Sequence, residues 1–282
     1  MNQPHAQAGG RPVTIHICVT CGTSFPDAPS PPERCPICDE ERQYVPASGQ
    51  SWTTPGALAS AHANAWRQVE PGLFEIETHP RFAIGQRAFL LRTPQGNVLW
   101  DCIALLDPAT VALVRSLGGL AGIAISHPHY YTTMPDWAAA FDAPVYLHAR
   151  DREWVMRPDD RVVFWEEDER ALAPGVTLLR LGGHFPGGSV LHWQDGADGR
   201  GVLLAGDIVQ AGADRKSVSF LWSYPNWLPL SGGTVARIAA RLETKAFARL
   251  YGAFGLHITE DAGAVVSRSA ARYQNLLAQD QP

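Results

Sequence analysis

The sequence predicts an α+β protein in which helices cover layered sheets, preceded by a small unit that metal binding would fold. Three observations support this prediction. Strand-like apolar runs follow one another from about residue 73, and further along they alternate with helix-like segments. Four of the five cysteines form two Cys-x-x-Cys pairs within the first 40 residues. Two histidines one residue apart, His127 and His129, directly follow an apolar run with the pattern of a buried strand.

Composition describes an ordinary globular protein. Its 282 residues are enough for one large domain or two, and 45% are hydrophobic and 18% charged. The net charge is −5 and no long basic run occurs, so no nucleic-acid partner is expected. No apolar stretch approaches the roughly 18 residues that cross a bilayer, so no membrane partner is expected. Residues 1–14 lack the features of a signal peptide and predict a disordered tail on a cytoplasmic protein of undetermined oligomeric state.

The cysteine pairs predict a zinc ribbon over residues 15–50. Each pair can sit on a tight turn and point two thiolates at one ion, and four thiolates make a closed, structural site. Because so short a segment cannot bury enough apolar surface to fold unaided, the ion would supply its folding free energy. Without a secretion signal, zinc is favoured over the alternative of disulfides or free thiols. The pattern resembles zinc ribbons and, more loosely, rubredoxins, with Cys18, Cys21, Cys35 and Cys38 as the ligands.

Residues 51–72 are expected to form a connector, and the larger unit is expected over residues 73–282. Strands in succession, followed by strands that alternate with helices, are typical of sheets covered by helices. The predicted strands cover residues 73–78, 87–93, 97–103, 120–125, 143–148, 176–181, 189–193, 201–207 and 248–252. The predicted helices cover residues 108–117, 135–141, 232–244 and 260–278.

Three histidines and one aspartate in this unit have the pattern of metal ligands. His127 and His129 leave the end of a predicted strand, where a rigid support would let both imidazoles bind one ion. Glycines on either side of the segment around His184 permit a tight turn, and Asp207 ends the run Val-Leu-Leu-Ala-Gly-Asp. Imidazole suits zinc, iron, nickel and copper. Three neutral imidazoles and a carboxylate leave room for a water, whose pKa the ion can lower toward roughly 7.

These motifs, together with Asp101 after an apolar run, occur in the order seen in the metallo-β-lactamase superfamily of hydrolases. The resemblance covers residues 73–282 and rests chiefly on the segment Gly-Gly-His184-Phe-Pro-Gly-Gly-Ser-Val and on the Gly-Asp207 pair. It implies a four-layer αβ/βα sandwich with the metal at one edge, between two sheets. It also implies that Asp101 supports the site without binding the metal.

The sequence departs from that family at the second metal position. The family's first motif runs His-x-His-x-Asp-His, but Tyr131 and Thr132 stand where its aspartate and last histidine are expected. The turn at residues 251–255 lacks the family's final histidine, and His257 lies slightly beyond it. We therefore expect one metal ion in the larger unit, zinc or iron, bound by His127, His129, His184 and Asp207.

Two residues are candidates for catalysis and three for substrate binding. Asp207, freed from bridging two metals, would orient a water or accept its proton. Tyr131 would donate a hydrogen bond to an oxyanion or to the substrate. An aromatic stretch follows Asp207 and predicts either a cavity wall that favours apolar substrates or rings that fill the core. Its candidate wall residues are Trp222, Tyr224 and Trp227.

The leading interpretation is a metal-dependent hydrolase of a small molecule, of ester, thioester or lactone type. Because the superfamily's scaffold also holds mononuclear iron, an oxidoreductase of the persulfide-dioxygenase type is the first alternative. A decayed domain that binds a ligand or partner, with the ribbon as an interaction module, is the second. Metal content distinguishes them: zinc favours hydrolysis, iron favours oxygen chemistry, and an empty histidine cluster favours the decayed domain.

Overall fold

A computed structural model describes residues 13–279, so the tail expected over residues 1–14 lies outside the described residues except for its last two. The main body contains a seven-stranded sheet and a six-stranded sheet, and a three-stranded sheet lies at the N-terminal end. No helix within residues 13–279 is long and apolar enough to cross a membrane. The mixed architecture predicted from the sequence is confirmed.

The N-terminal unit, residues 13–54, is a small sheet with the strand order β2-β1-β3. Its elements are β1 (Thr14–Cys18), β2 (Ser24–Ala28), the single-turn helix α1 (Pro36–Asp39) and β3 (Trp52–Thr53), after which α2 covers Pro55–Ala61. The unit therefore extends past residue 50, because β3 pairs with β1 and closes the sheet. It packs on the larger unit through Ile17, which lies in one buried cluster with Leu58 and Leu105.

The seven-stranded sheet contains strands β4 to β10 in reverse chain order. They are β4 (Ala63–Glu70), β5 (Leu73–His79), β6 (Arg87–Leu91), β7 (Val98–Trp100), β8 (Gly122–Ala124), β9 (Val145–His148) and β10 (Val162–Trp165). The larger unit was expected to begin at Leu73, but β4 already belongs to its sheet and pairs antiparallel with β5. β4 is an edge strand in which only Glu70 is buried, so its sequence lacks the apolar alternation that marks a buried strand.

The six-stranded sheet has the order β11-β12-β13-β14-β19-β20. Two short hairpins, β15–β16 and β17–β18, lie between β14 and β19 in the chain. The strands are β11 (Glu169–Ala173), β12 (Val176–Arg180), β13 (Ser189–Trp193), β14 (Val202–Gly206), β15 (Gln210–Ala211), β16 (Val218–Ser219), β17 (Leu221–Ser223), β18 (Leu228–Pro229), β19 (Arg249–Gly252) and β20 (His257–Ile258).

Five helices complete the larger unit and make it a four-layer sandwich. They are α3 (Pro108–Ser116), α4 (Met134–Phe141), α5 (Gly196–Gly199), α6 (Gly232–Leu242) and α7 (Ala262–Ala278). Residues of both sheets, such as Trp100 and Leu204, form one buried cluster between the sheets. Residues of α4 pack with the outer face of the first sheet, and residues of α6 and α7 pack with the outer face of the second.

Burial on both faces explains why the inner strands read as continuous apolar runs. In β14, Val202 and Leu204 point into the cluster between the sheets, whereas Leu203 and Ala205 point toward α6 and α7. Each fully buried aliphatic side chain of this kind stabilises the fold by roughly 1.5–3 kcal/mol. At the edge of the sandwich the strands end, and side chains there need not be apolar on both faces. The polar residues of interest lie at this edge.

Candidate metal centres

The four cysteines of the N-terminal unit converge on one point. Their sulfur atoms all lie within 4.8 Å of one another, and all four residues are buried. The Sγ atoms of Cys18 and Cys38, and those of Cys21 and Cys35, are 3.6 Å apart. Because a disulfide has a length of about 2.05 Å, these are free thiols in the arrangement of a tetrahedral ion site. Gly22, at φ +81°, closes the first turn by donating its N–H to the carbonyl of Cys18.

A second cluster contains three histidines and one aspartate at the edge of the sandwich. Its potential ligand atoms lie within 4.8 Å of one another, and all four residues are buried. Nε2 of His127 is 3.0 Å from Oδ1 of Asp207, and Nε2 of His184 is 3.3 Å from Nδ1 of His129. The structure therefore brings together the four residues that the sequence analysis named as ligands.

Strand ends position these four residues. His127 and His129 belong to the loop after β8 and to its single turn of 3₁₀ helix. His184 lies in the loop between β12 and β13, and Asp207 directly follows β14. Since each residue comes just after the carboxyl end of a strand, the rigid sheets hold the side chains in place.

Hydrogen bonds at the far side of the rings fix the orientation of two imidazoles. Nδ1–H of His184 donates to the carbonyl oxygen of Trp222 at 2.7 Å, which leaves the lone pair of Nε2 free. Nδ1 of His127 lies 2.9 Å from the hydroxyl oxygen of Ser126. Nε2 of His127 and Oδ1 of Asp207, in contrast, are buried without a hydrogen-bond partner despite their proximity.

Burial keeps the three imidazoles in the neutral form that binds metals. It lowers the pKa of His127 to about 3, with a contribution from the nearby positive charge of Arg42. It also lowers the pKa of His184 to about 4 and that of His129 well below its usual value. At neutral pH all three nitrogen donors are thus available without the loss of a proton.

The residues at the family's second metal position are not the aspartate and histidine that the family's motif has there. The ring of Tyr131 is buried in the apolar cluster beneath α4, and the carbonyl of Thr132 accepts hydrogen bonds from Ser24. His257 lies in β20, with Nε2 at 3.3 Å from Oε1 of Glu75, outside the histidine cluster. Within residues 13–279, the cysteine and histidine clusters are the two groups of three or more potential ligands.

A cavity of about 500 Å³ opens over the histidine cluster. His129, His184 and Asp207 form part of its lining. Three chain segments supply most of the remaining lining: residues 77–87 from the end of β5 to the start of β6, residues 42–44 of the N-terminal unit, and residues 224–227 of the β17–β18 hairpin. Ile103, Ala104, Gln210 and Phe254 supply the rest. Residues 42–44 were not expected at the site, because nothing in the run Arg-Gln-Tyr after the fourth cysteine indicates contact with His184, which lies 142 residues after Arg42.

The remaining candidate residues differ in their access to the cavity. Tyr224 and Trp227 line it, and Trp227 is 81% exposed at its mouth. Trp222 does not line it; its carbonyl holds His184 and its ring packs partly against the cluster beneath α6. Tyr131 does not line it either, because its ring is buried in the apolar cluster beneath α4. Oδ1 of Asp101 accepts the main-chain N–H of Ser126 at 2.7 Å, a supporting contact beside His127.

Asp151 anchors the loop that carries His184, and its protonation should affect stability. Its Oδ1 accepts the N–H of Gly187 at 2.7 Å, while burial raises its pKa to about 7. The folded protein therefore keeps a proton that the unfolded chain releases above about pH 4, and the stability that this group contributes falls as the pH rises from 4 to 7. The contribution of Asp151 to the free energy of unfolding falls by roughly 4 kcal/mol over this range, because each pH unit between the two pKa values contributes about 1.36 kcal/mol.

An Asp151→Asn variant keeps the oxygen for Gly187 but cannot ionise. We expect its thermal midpoint to exceed that of the wild type at pH 8 and to match it near pH 4. Thermal unfolding followed by circular dichroism over this pH range measures both. Parallel pH profiles for the two proteins would contradict the assignment.

Comparisons with known proteins find similarity both in sequence and in fold. No family model matches the chain. The uncharacterized protein YmaE of Bacillus subtilis (strain 168) is 47% identical over 264 residues, which covers 93% of this chain and 96% of YmaE.

Among solved structures, DIM-1 metallo-β-lactamase superimposes with a TM-score of 0.56 at 15% identity, covering 74% of this chain and 98% of DIM-1. A B3 metallo-β-lactamase with an active-site glutamic acid superimposes with a TM-score of 0.52 at 17% identity, covering 85% and 96%. The αβ/βα fold predicted from the motifs is thereby confirmed.

Proposed function

This chain belongs to the same family as the Bacillus subtilis protein YmaE and has the metallo-β-lactamase fold, and from this premise we propose that it is a metal-dependent hydrolase of a small molecule. The bond it cleaves is of ester, thioester or lactone type. The observation that carries the proposal is the buried cluster of three imidazoles and one carboxylate beneath a cavity of about 500 Å³. Cavities of this volume are typical of small-molecule sites.

The residues present fit one metal ion in the histidine cluster. Buried polar atoms without a partner are costly, and a cation would satisfy both Nε2 of His127 and Oδ1 of Asp207. Imidazole and carboxylate donors suit zinc and iron(II) alike. We assign this ion to His127, His129, His184 and Asp207, and a structural zinc ion to the four cysteines.

In the proposed reaction, the protein's own groups orient the reactants and move a proton. A metal ion bound in the cluster would polarise a carbonyl and lower the pKa of a coordinated water. Asp207, the one carboxylate of the cluster, orients the attacking water and accepts its proton. The hydroxyl of Tyr224 donates to the main-chain carbonyl of Asp207 at 2.5 Å and so fixes the position of this base. Trp227 presents an aromatic surface to an apolar part of the substrate.

An iron oxidoreductase of the persulfide-dioxygenase type is the second candidate. It is favoured by the loss of ligands at the second position, because a single set of imidazole and carboxylate donors also suits iron(II). The identity of the metal separates it from hydrolysis.

Metal content of the wild type and of His127→Ala tests the proposal. We expect two zinc ions per chain by elemental analysis and one in the variant, together with loss of metal-dependent turnover of 4-nitrophenyl acetate and of simple thioesters and lactones. The matched control is His192→Ala, since His192 is also buried but hydrogen-bonds to Ala246 outside the cluster. This control should keep both ions.

Two results would contradict the hydrolase. One zinc and one iron, with the iron lost in His127→Ala, would favour oxygen chemistry. A single metal ion that His127→Ala leaves in place would mean that only the cysteines bind, as in a domain without catalytic function.

A further inference from the structure

The ribbon tail, defined as residues 40–44 directly after α1, lies between the cysteine cluster and the histidine cluster. It begins two residues after Cys38, the last of the four cysteines, and its residues 42–44 form a wall of the cavity. The ribbon tail therefore follows directly on the cysteine cluster and borders the cavity of the histidine cluster.

Arg42 connects the tail to the histidine cluster by a hydrogen bond. Its side chain is nearly buried, and Nη1 donates to the main-chain carbonyl of His184 at 3.1 Å. The guanidinium also lies over the ring of Phe185, 3.9 Å from the ring centre. Glu40 neutralises this buried cation, since its Oε2 accepts from both Nε and the main-chain N–H of Arg42.

Phe185 transmits the position of Arg42 to all three imidazoles. Its ring centre is 5.4 Å from that of His127, 5.0 Å from that of His129 and 5.1 Å from that of His184. The ring is fully buried, with the guanidinium on one side and the imidazoles around it. Because packed interiors leave little free space, a displaced Phe185 would displace the rings that it touches.

The tail is also fixed from the opposite direction. The carbonyl of Glu41 accepts hydrogen bonds from Ser223 Oγ at 2.9 Å and from Asn226 Nδ2 at 2.8 Å. Both donors belong to the β17–β18 hairpin, whose Trp222 carbonyl holds Nδ1–H of His184. His184 is thus held at its main chain by the tail and at its ring by a hairpin that the tail itself positions.

From these contacts we infer that the four-cysteine unit is part of the metal-dependent site, and that Arg42 is a positioning residue that sets the affinity and geometry of the metal ion at the histidine cluster. The inference rests on the proposed metal site but does not depend on which reaction the site performs. Arginine suits this role because its planar guanidinium stacks on the ring of Phe185 and donates to the carbonyl of His184 at the same time, whereas a lysine ammonium has no planar face to stack.

An Arg42→Met variant tests the inference, because methionine keeps apolar bulk over Phe185 but donates no hydrogen bond. Outer-shell partners of metal ligands typically change metal affinity 10- to 100-fold, and we expect a loss of that size at the histidine cluster, with the cysteine-bound zinc unchanged. Arg42→Lys keeps the positive charge without the planar guanidinium. The zinc affinity of its histidine cluster should therefore lie between those of the wild type and of Arg42→Met.

The readouts are zinc affinity, by competition with a chelator, and the visible absorption of protein with cobalt(II) in the histidine cluster. The absorption reports ligand geometry whether or not turnover is measurable. The matched control is Arg249→Met, which breaks a similar pair with buried Glu70 but does not contact the histidine loop. This control should keep wild-type affinity and spectrum.

Wild-type affinity and an unchanged cobalt spectrum in Arg42→Met would overturn the inference, and so would an equal loss in Arg249→Met. Failure of the proposed function gives a different result, because the wild type itself would then bind iron, or no metal, at the histidines. A lower affinity with an altered spectrum, confined to the Arg42 variants, supports the inference.

Discussion

A Cys38→Ser variant is expected to lose the metal ion of the histidine cluster as well as that of the cysteine cluster. Removal of one thiolate opens the tetrahedral site, and in zinc-finger peptides such a site contributes an apparent binding free energy of roughly 10–16 kcal/mol. Cys38 lies in α1, directly before the ribbon tail, so the tail loses its anchor when the N-terminal unit unfolds. Arg42 then no longer holds the loop of His184.

Elemental analysis of the purified variant measures this double loss, and a lower thermal midpoint should accompany it. The control is Cys102→Ala, because Cys102 is as buried as Cys38 but lies in the core of the larger unit. It should keep both ions at a modest cost in stability. A Cys38→Ser protein with a fully loaded histidine cluster of wild-type affinity would show that the two sites are independent.

Replacement of Asp207 by asparagine is expected to lower turnover on the order of 10²- to 10⁴-fold, the usual contribution of a general base. Asparagine has nearly the same shape but carries no charge and accepts no proton at neutral pH. The main chain at this position should not move, since the hydroxyl of Tyr224 holds the carbonyl of residue 207 in either protein. Steady-state kinetics at saturating zinc, with metal content measured on the same samples, separates loss of the base from loss of the ion.

Asp101→Asn is the matched control for this variant. Asp101 is equally buried and lies near the cluster, but its Oδ1 accepts the N–H of Ser126, and asparagine can still do this. The variant should keep most of its activity. If Asp207→Asn retained full metal content and full turnover, the proton would have to be accepted by another group.

The potential metal ligands could be predicted from the sequence, since most of them lie in short local motifs. Cys-x-x-Cys and His-x-His place two donors on one turn, whatever the rest of the chain does. The apolar runs that become β8, β12 and β14 predict where the strands end, and the ligands follow those ends. Their order along the chain then indicated the fold, which was enough to place His184 and Asp207 near the histidine pair.

Other features depend on contacts between distant segments, which the sequence does not encode locally. β4 has the composition of a connector, because an edge strand with exposed faces needs no apolar alternation. Trp222 and Trp227 belong to one hairpin. The ring of Trp222 packs partly against the core, whereas that of Trp227 is exposed at the cavity. Arg42 resembles any surface arginine until the fold brings it to Phe185.

The ribbon tail also constrains how this protein can evolve. Domain boundaries usually fall where few contacts cross, so that each domain could in principle fold alone. Here a new N-terminal unit would have to reproduce an arginine at the correct position over Phe185 and a carbonyl for Ser223 and Asn226. The two units are therefore expected to be inherited together, and a shortened gene that begins at α2 would encode the ligands of the histidine cluster but not a working site.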